Sequence, residues 1–152
     1  MDPFDNLKVQ QLDSALEPFR PLRRALPAGG WAKTIREALG MSLRQYAKRM
    51  GVSKTAANSA EQSEARGTVQ LDTLQQLADA LGCDLVYALV PRDSLRSTLE
   101  RQAEAIATQL VGRVSSSMEL EDQGIPHAER RRQIEELTRE VLEERPSDFW
   151  DV

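Results

Sequence analysis

Residues 51–53, Gly-Val-Ser, constrain the fold more than any other stretch, because they leave room only for a tight turn between two helical patterns. Ser42 is a good N-cap for the first helix, and Gly51 suits a left-handed C-cap. Ser53 is a candidate N-cap for the second helix, which we place at residues 54–64. The buried face of the first helix is predicted to consist of Leu43, Tyr46, Ala47 and Met50. The sequence therefore predicts a compact helical hairpin.

Helical patterns on both sides extend this hairpin to a domain that we place at residues 31–83. Trp31, Ile35 and Leu39 recur at every fourth position, which predicts a short helix that buries these three side chains. A further helix is predicted from about residue 72 to residue 81, and Gly82 caps it.

The hairpin sequence MSLRQYAKRMGVSKTAANSAEQ, residues 41–62, resembles the helix-turn-helix of the phage-repressor-like (Xre-type) family. The resemblance implies a DNA-binding domain whose second hairpin helix enters the major groove. Members of that family usually carry larger apolar residues where this chain has Ala57 and Ala60. Both alanines are predicted to lie in the core. Either Tyr46 and Met50 fill the space, or the helix packs closer.

The predicted DNA contacts of the hairpin are Ser42, Leu43, Ser53, Lys54, Thr55, Asn58 and Ser59. The resemblance places Lys54, Thr55 and Ser59 where base contacts are usual. A lysine can reach guanine, and an asparagine can pair with adenine. By the same resemblance, the backbone N–H groups of Ser42 and Leu43 lie where phosphate contacts are usual. The alternative interpretation of these side chains is a solvated helix face.

Charge is unevenly distributed along the chain. Residues 1–55 carry 10 Lys and Arg against 5 Asp and Glu, whereas residues 56–152 carry 10 against 19. Such asymmetry points to nucleic-acid contact at one end. Residues 1–30 are predicted to form an N-terminal helix and a proline-rich basic arm, in which Arg23 and Arg24 either follow DNA or remain solvated.

Residues 84–92 are predicted to form a β-strand, because DLVYALV is apolar and β-branched and is followed by Pro91. One strand cannot satisfy its own backbone hydrogen-bonding groups. We therefore expect it to pair with the same strand of a second chain, which makes the protein a homodimer. The alternatives are an extension of a helix or a packed coil.

Residues 93–152 are predicted to be a helical, partner-binding region with one helix over about 94–123 and another over about 127–144. Phe149 and Trp150 are expected to pack back onto the first of these helices. The predicted fold class is mainly α: a phage-repressor-like helix-turn-helix domain with one dimerising β-strand and a C-terminal helical hairpin.

The chain contains one cysteine, Cys83, and one histidine, His127, and neither has neighbours that would complete a metal or nucleophilic site. We therefore expect no enzymatic activity, no metal and no cofactor. The N-terminus has no signal-peptide pattern, and no apolar run approaches the roughly 18 residues that span a membrane. A cytoplasmic protein without membrane contact is expected.

Four stretches resemble the family called mobile mystery protein A: QLDSALEPFRPLRRALPAGGWAKTIREALGMSL, ADALGCDLVYALVPRDSL, SSMELEDQGI and the terminal FWD. This resemblance implies a small Xre-type regulator encoded beside a Fic-domain protein. Fic domains commonly transfer AMP from ATP to hydroxyl groups on target proteins, and such gene pairs resemble toxin–antitoxin modules.

The same resemblance raises the possibility of an inhibitory helix. Antitoxins of Fic toxins often carry Ser/Thr-x-x-x-Glu-Gly/Asn, whose glutamate pairs with a Fic arginine and obstructs the ATP γ-phosphate. Ser117 to Glu121 fits the first five positions, with Asp122 in place of the usual Gly or Asn. Glu119, four residues after Ser115, is the second choice. The alternative is an ordinary exposed helix end.

The predicted function is a repressor that binds an inverted-repeat operator in double-stranded DNA and restrains a Fic-type partner. Two alternatives remain at this point. One is a stand-alone transcription regulator whose C-terminal helices only dimerise. The other is a pure Fic inhibitor with a vestigial DNA-binding motif.

Overall fold

A computed structural model describes residues 3–22, 26–119 and 126–151, with the backbone alone at residues 3, 4 and 115–119. The α-helices in these ranges are α1 (Pro3–Leu16), α2 (Trp31–Ala38), α3 (Leu43–Met50), α4 (Lys54–Arg66), α5 (Leu71–Ala80), α6 (Leu95–Glu119) and α7 (His127–Glu144). A 3₁₀-helix, Glu17–Leu22, follows α1. The chain divides into two compact units, residues 21–88 and residues 1–20 with 89–152.

The hairpin α3–α4 forms where the sequence predicts it, because each predicted cap is present. The Ser42 hydroxyl accepts a hydrogen bond from the Gln45 N–H at 3.3 Å, and the Gln45 side chain accepts one from the Ser42 N–H at 2.8 Å. This reciprocal capping box satisfies two backbone donors at the start of α3. Gly51 ends α3 with φ of 72°, and the Ser53 hydroxyl caps α4 by accepting from the Ala56 N–H at 3.0 Å.

The core of residues 21–88 is centred on Tyr46 of α3 and Leu77 of α5, the two largest fully buried side chains among the described residues. The Tyr46 hydroxyl donates to the Leu77 carbonyl at 2.8 Å, and Nε of Arg49 donates to the Ala80 carbonyl at 2.7 Å. Both carbonyls belong to the last turn of α5, where no further helical N–H can reach them. Side chains of α3 therefore donate hydrogen bonds to two of the free carbonyls at the C-terminal end of α5. The positive charge of Arg49 also interacts favourably with that end of the helix dipole.

The predicted buried face of α2 is wrong. Trp31 and Leu39 are more than half exposed, and Ile35 is only partly buried, whereas Ala32 and Arg36 are buried. Periodicity alone favoured the large apolar side chains. The tertiary contacts favour the neighbouring stripe because Arg36 has a buried acidic partner on α4, described below.

The predicted strand at residues 84–92 is not found: no described residue belongs to a β-strand. Residues 83–90 have no regular secondary structure, and the backbone of residues 84–90 makes no hydrogen bond to another described residue. A ladder needs a second strand, and the described part of this chain does not provide one. Val86, Tyr87 and Leu89 are exposed.

The unit of residues 1–20 and 89–152 contains the predicted C-terminal helical hairpin, in which α6 packs along α7. Its core contains Ala103, Ile106, Val141 and Phe149. Phe149 is buried, as predicted, and its carbonyl accepts from the Gln102 side chain at 2.6 Å. Trp150 is exposed, so the prediction that it packs back is wrong.

The N-terminal helix α1 also contacts α6 in this unit. The Asp13 carboxylate accepts from the Leu95 N–H at 2.7 Å and from the Arg96 N–H at 3.3 Å. Ser94 provides a second cap at the same helix end, since its hydroxyl accepts from the Ser97 N–H at 2.9 Å. Helix α6 therefore begins with caps from two different parts of the chain.

None of the described helices is both long and apolar enough to cross a membrane.

Candidate nucleic-acid interface

The outward face at the start of α4 is formed by polar side chains. Lys54, Thr55, Asn58 and Ser59 are all exposed. Their spacing of one, three and one residues keeps them on one side of a helix with 3.6 residues per turn. Ser53 is also exposed, but its hydroxyl is engaged in the cap of α4. The structure thus brings these predicted contact residues onto one side of the first two turns of α4.

The start of α3 contains the predicted phosphate contacts. Ser42 is exposed and Leu43 is partly buried against the core. The capping box engages the N–H groups of Ser42 and Gln45. The Leu43 N–H is not a donor in that box, and it lies among the first N–H groups of the helix, which have no intrahelical acceptor. A helix N-terminus of this kind attracts anions such as phosphate.

The electrostatics of the hairpin suit contact with nucleic acid. Residues 41–60 contain four basic residues, Arg44, Lys48, Arg49 and Lys54, and no acidic residue. All four are exposed, although the Arg49 guanidinium also caps α5. Residues 41–60 are therefore positively charged within a chain whose formal net charge is −4.

The inward face of α4 has an unusual composition. Ala57, Ala60, Glu61 and Glu64 are buried, and their spacing of three, one and three residues defines one helical stripe. The prediction that both alanines are core residues is confirmed. Tyr46 of α3 lies in the same apolar cluster as Ala60. The two glutamates of the stripe were not predicted.

Glu61 forms a buried ion pair with Arg36 of α2. Nε of Arg36 lies 2.5 Å from Oε1 of Glu61, and Nη2 lies 3.2 Å from Oε2. Nη1 of Arg36 donates to the Met41 carbonyl at 2.9 Å. The hydrogen bond to Glu61 raises the pKa of Arg36 above its ordinary value, against the opposite effect of burial. The pair therefore holds α2, α4 and the loop before α3 together.

Glu64 lies one turn further along α4 and caps α2. One carboxylate oxygen accepts from the Trp31 N–H at 2.8 Å, and the other accepts from the Ala32 N–H at 2.9 Å. The N-cap residue of α2 is Gly30, which has no side chain with which to form this cap. Helix α4, which presents the candidate contact residues, is thus joined to α2 at two successive turns.

A comparison with protein families gives one match to this region. The family model HTH_3, described as Helix-turn-helix, matches residues 33–87, a segment that begins in α2 and includes α3, α4 and α5. This segment is a helix-turn-helix domain. The match supports a DNA-binding regulator of the Xre type. Comparisons with curated proteins and with solved structures give no significant match.

The helix-turn-helix domain explains the arrangement of the hairpin. In this motif, the first helix crosses the DNA backbone and the second lies in the major groove with its N-terminal residues at the base edges. Those helices correspond to α3 and α4. The individual base and phosphate contacts stay predictions.

Several predicted site residues lie outside the described part of the chain. Arg23, Arg24 and Glu121 are not described, and of Ser117 and Glu119 only the backbone in α6 is described. No group of three or more His, Cys, Asp or Glu side chains that could hold a metal occurs among the described residues.

The buried polar contacts of α4 are the part of the site that the sequence analysis missed. A signal was present, because positions 57, 60, 61 and 64 follow the spacing of a buried helical stripe. A glutamate in such a stripe requires a partner. The partners of Glu61 and Glu64 are 25 to 33 positions away in sequence, so the local spacing does not identify them.

Proposed function

We propose that the protein is a sequence-specific DNA-binding repressor that acts as a homodimer. The observation that carries this proposal is the start of α4, where Lys54, Thr55, Asn58 and Ser59 are exposed on one side of a helix-turn-helix domain. Residues 41–60, which present them, contain four basic residues and no acidic ones. Attraction to phosphates positions such a domain on DNA, and the side chains at the base edges select the sequence.

The test is a DNA-binding measurement with the region upstream of the protein's own gene and with unrelated DNA of the same length. Lys54→Ala and Thr55→Ala should each lower operator affinity by about tenfold, since a good base contact contributes roughly 1–3 kcal/mol. Lys8→Ala, at an exposed lysine of α1, is the matched control and should bind like the wild type. Unchanged operator affinity in both Lys54→Ala and Thr55→Ala would remove α4 from the proposed readout.

Homodimer formation through residues 84–90 is the second part of the proposal. It is supported by an apolar, exposed segment whose backbone groups have no hydrogen-bonding partner among the described residues. Two such segments related by a two-fold axis could pair as antiparallel strands. The operator would then be an inverted repeat with half-site centres about one helical turn apart, roughly 34 Å.

Val86→Pro tests this interface because proline removes a ladder donor at the centre of the segment. The variant should be monomeric by light scattering and should lose operator binding. Val86→Ala keeps the N–H group and is the matched control, so it should remain largely dimeric. A dimeric Val86→Pro protein would place the interface elsewhere, with α6 as the next candidate.

We also propose that the region 93–152 binds a Fic-domain partner. This part rests on the resemblance to the mobile mystery protein A family and on the acidic balance of residues 56–152. A Fic site is lined with arginines for holding ATP, and a carboxylate at a helix end would form charge-assisted hydrogen bonds there. Glu121, four residues after Ser117 in the sequence, is the first candidate, and Glu119 is the second.

AMP transfer by the partner tests that assignment. Glu121→Gly should no longer inhibit AMP transfer by the partner. A separate binding assay should show that the variant still binds the partner. If Glu121→Gly and Glu119→Gly both inhibit as well as the wild type, neither carboxylate inhibits. Absence of any complex with the neighbouring gene product favours the stand-alone regulator, and absence of operator binding favours a pure inhibitor.

A further inference from the structure

Helix α4 has few side chains that could hold it in place by shape alone. The apolar part of its buried stripe consists of Ala57 and Ala60, each with a single methyl group. A large side chain resists sliding because it is enclosed by its neighbours, whereas a methyl group makes few such contacts. The remaining buried residues of α4 are Glu61 and Glu64. The position of this helix therefore depends largely on their polar contacts.

Of the two buried glutamates of α4, Glu64 lies further from the candidate contact residues at the start of the helix. It is buried, and each of its carboxylate oxygens accepts from a different backbone N–H of α2, those of Trp31 and Ala32. The strength of a hydrogen bond depends on the donor–acceptor distance within a few tenths of an ångström, and it also depends on the angle at the hydrogen. Two bonds from one carboxylate to adjacent N–H groups therefore fix both the distance and the rotation of α4 relative to the start of α2.

Gly30 completes this attachment from the side of α2. Its backbone has φ of 85°, and a Cβ atom there would lie 2.8 Å from Oε2 of Glu64. A side chain at position 30 would displace the carboxylate, so α2 cannot provide its own N-cap without losing the contact to α4. The start of α2 is thus shaped to receive a carboxylate from α4.

We infer that Glu64 is a positioning residue for DNA reading: it sets the orientation of α4 and thereby the placement of Lys54, Thr55, Asn58 and Ser59. Ten residues separate Glu64 from Lys54, which is about 15 Å along a helix, so a rotation of roughly 10° moves the start of α4 by about 2.5 Å. A base contact does not tolerate such a displacement. The effect on DNA reading rests on the DNA-binding function proposed above.

The first test measures the orientation of α4 in the free protein and needs no DNA. In Glu64→Gln, the amide nitrogen faces a backbone N–H, so one of the two hydrogen bonds is lost. Residual dipolar couplings of backbone amides should show α4 rotated relative to α3 and α5. Glu104→Gln, the same change at an exposed glutamate of α6, should leave the couplings unchanged. An unchanged orientation of α4 in Glu64→Gln overturns the inference.

The second test separates positioning from a general loss of folded protein. A smaller folded fraction lowers the affinity for operator and for unrelated DNA by the same factor. A misplaced α4 instead lowers operator affinity, by about tenfold, while the affinity for unrelated DNA and its dependence on salt stay the same, because the phosphate contacts persist. Equal losses on both DNAs, or no loss, overturn the inference.

Two other results are possible: a wild type that prefers no operator, and a Glu64→Gln variant that does not fold. If the wild-type protein shows no preference for any operator, the DNA-binding proposal fails, and the dipolar couplings alone decide whether Glu64 orients α4. If Glu64→Gln does not fold, Glu64→Asp takes its place. That variant keeps the charge but withdraws the carboxylate by about 1.5 Å, the length of one C–C bond, and the same two outcomes are expected.

Discussion

Arg36 and Glu61 form a buried ion pair that joins α2 to α4, with Nε of Arg36 2.5 Å from Oε1 of Glu61. Both side chains are almost completely enclosed, and the guanidinium also donates to the Met41 carbonyl. Burying a charge is costly unless it is paired, so the removal of either partner leaves an uncompensated charge in the core.

Arg36→Met should therefore destabilise the domain by about 3–5 kcal/mol, because Glu61 stays buried without its partner. Urea unfolding followed by circular dichroism measures the change. Arg96→Met is the matched control. It removes an exposed arginine that lies 3.0 Å from Glu100, and it should cost less than about 1 kcal/mol. Similar losses in the two variants would contradict a buried pair.

Gly30→Ala should be more destabilising than alanine at another glycine with positive φ. Gly30 has φ of 85° and ψ of 167°, a region that is essentially restricted to glycine, and its Cβ would approach Glu64 to 2.8 Å. We expect a loss of about 3 kcal/mol from the combined strain and displacement. Gly40→Ala, where φ is 66° and no atom lies within 4 Å of the Cβ, should lose about 1 kcal/mol. Thermal unfolding of both variants tests the difference, and equal losses would exclude the contact with Glu64.

The hydroxyl of Tyr46 should make stability depend on pH in the alkaline range. Burial raises the pKa of Tyr46 above its ordinary value of 10.0, with smaller contributions from the negative charges of Glu61 and Glu64. A raised pKa means that the protonated phenol is favoured in the folded state. Its contribution to stability is complete below pH 10 and declines as the pH rises from there towards the folded pKa.

Tyr46→Phe removes this titration and the hydrogen bond to the Leu77 carbonyl. At about pH 9, the wild type should be more stable than the variant by about 1 kcal/mol. Between about pH 9 and pH 11, the wild type should lose roughly 1.4 kcal/mol relative to the variant. Chemical unfolding at the two pH values measures this, and a constant difference between the proteins would show that the prediction is wrong.

Asp13→Ala should loosen the start of α6 in the unit of residues 1–20 and 89–152. It removes the carboxylate that accepts from the Leu95 and Arg96 N–H groups. Loss of such a cap costs about 1 kcal/mol. Faster amide hydrogen exchange in the first turn of α6 should accompany the loss. Ser14→Ala, at the exposed neighbouring position of α1, is the control. Equal exchange in the two variants would argue against a capping role for Asp13.

Local sequence signals predicted the hairpin and the polar side of α4. Ser42, Gly51 and Ser53 act through groups within about five residues of themselves. Their effect can therefore be read from a short window. The polar side of α4 is likewise a consequence of spacing, since residues 54, 55, 58 and 59 share one side of any α-helix. These features follow from backbone geometry whatever the rest of the chain does.

The sequence by itself thus determined the hairpin helices, the local caps Ser42, Gly51 and Ser53, and which side of α4 is polar. The tertiary structure decided what α4 packs against. The pair of Arg36 with Glu61 and the cap that Glu64 provides for α2 each join residues 25 or more positions apart. The first of these contacts explains why Arg36 is buried while Trp31 is exposed. A buried charge is favourable only beside its partner, and periodicity does not specify that partner. Residues 84–90 show the same limit, because an extended segment becomes a strand only when a second one supplies the other half of each hydrogen bond.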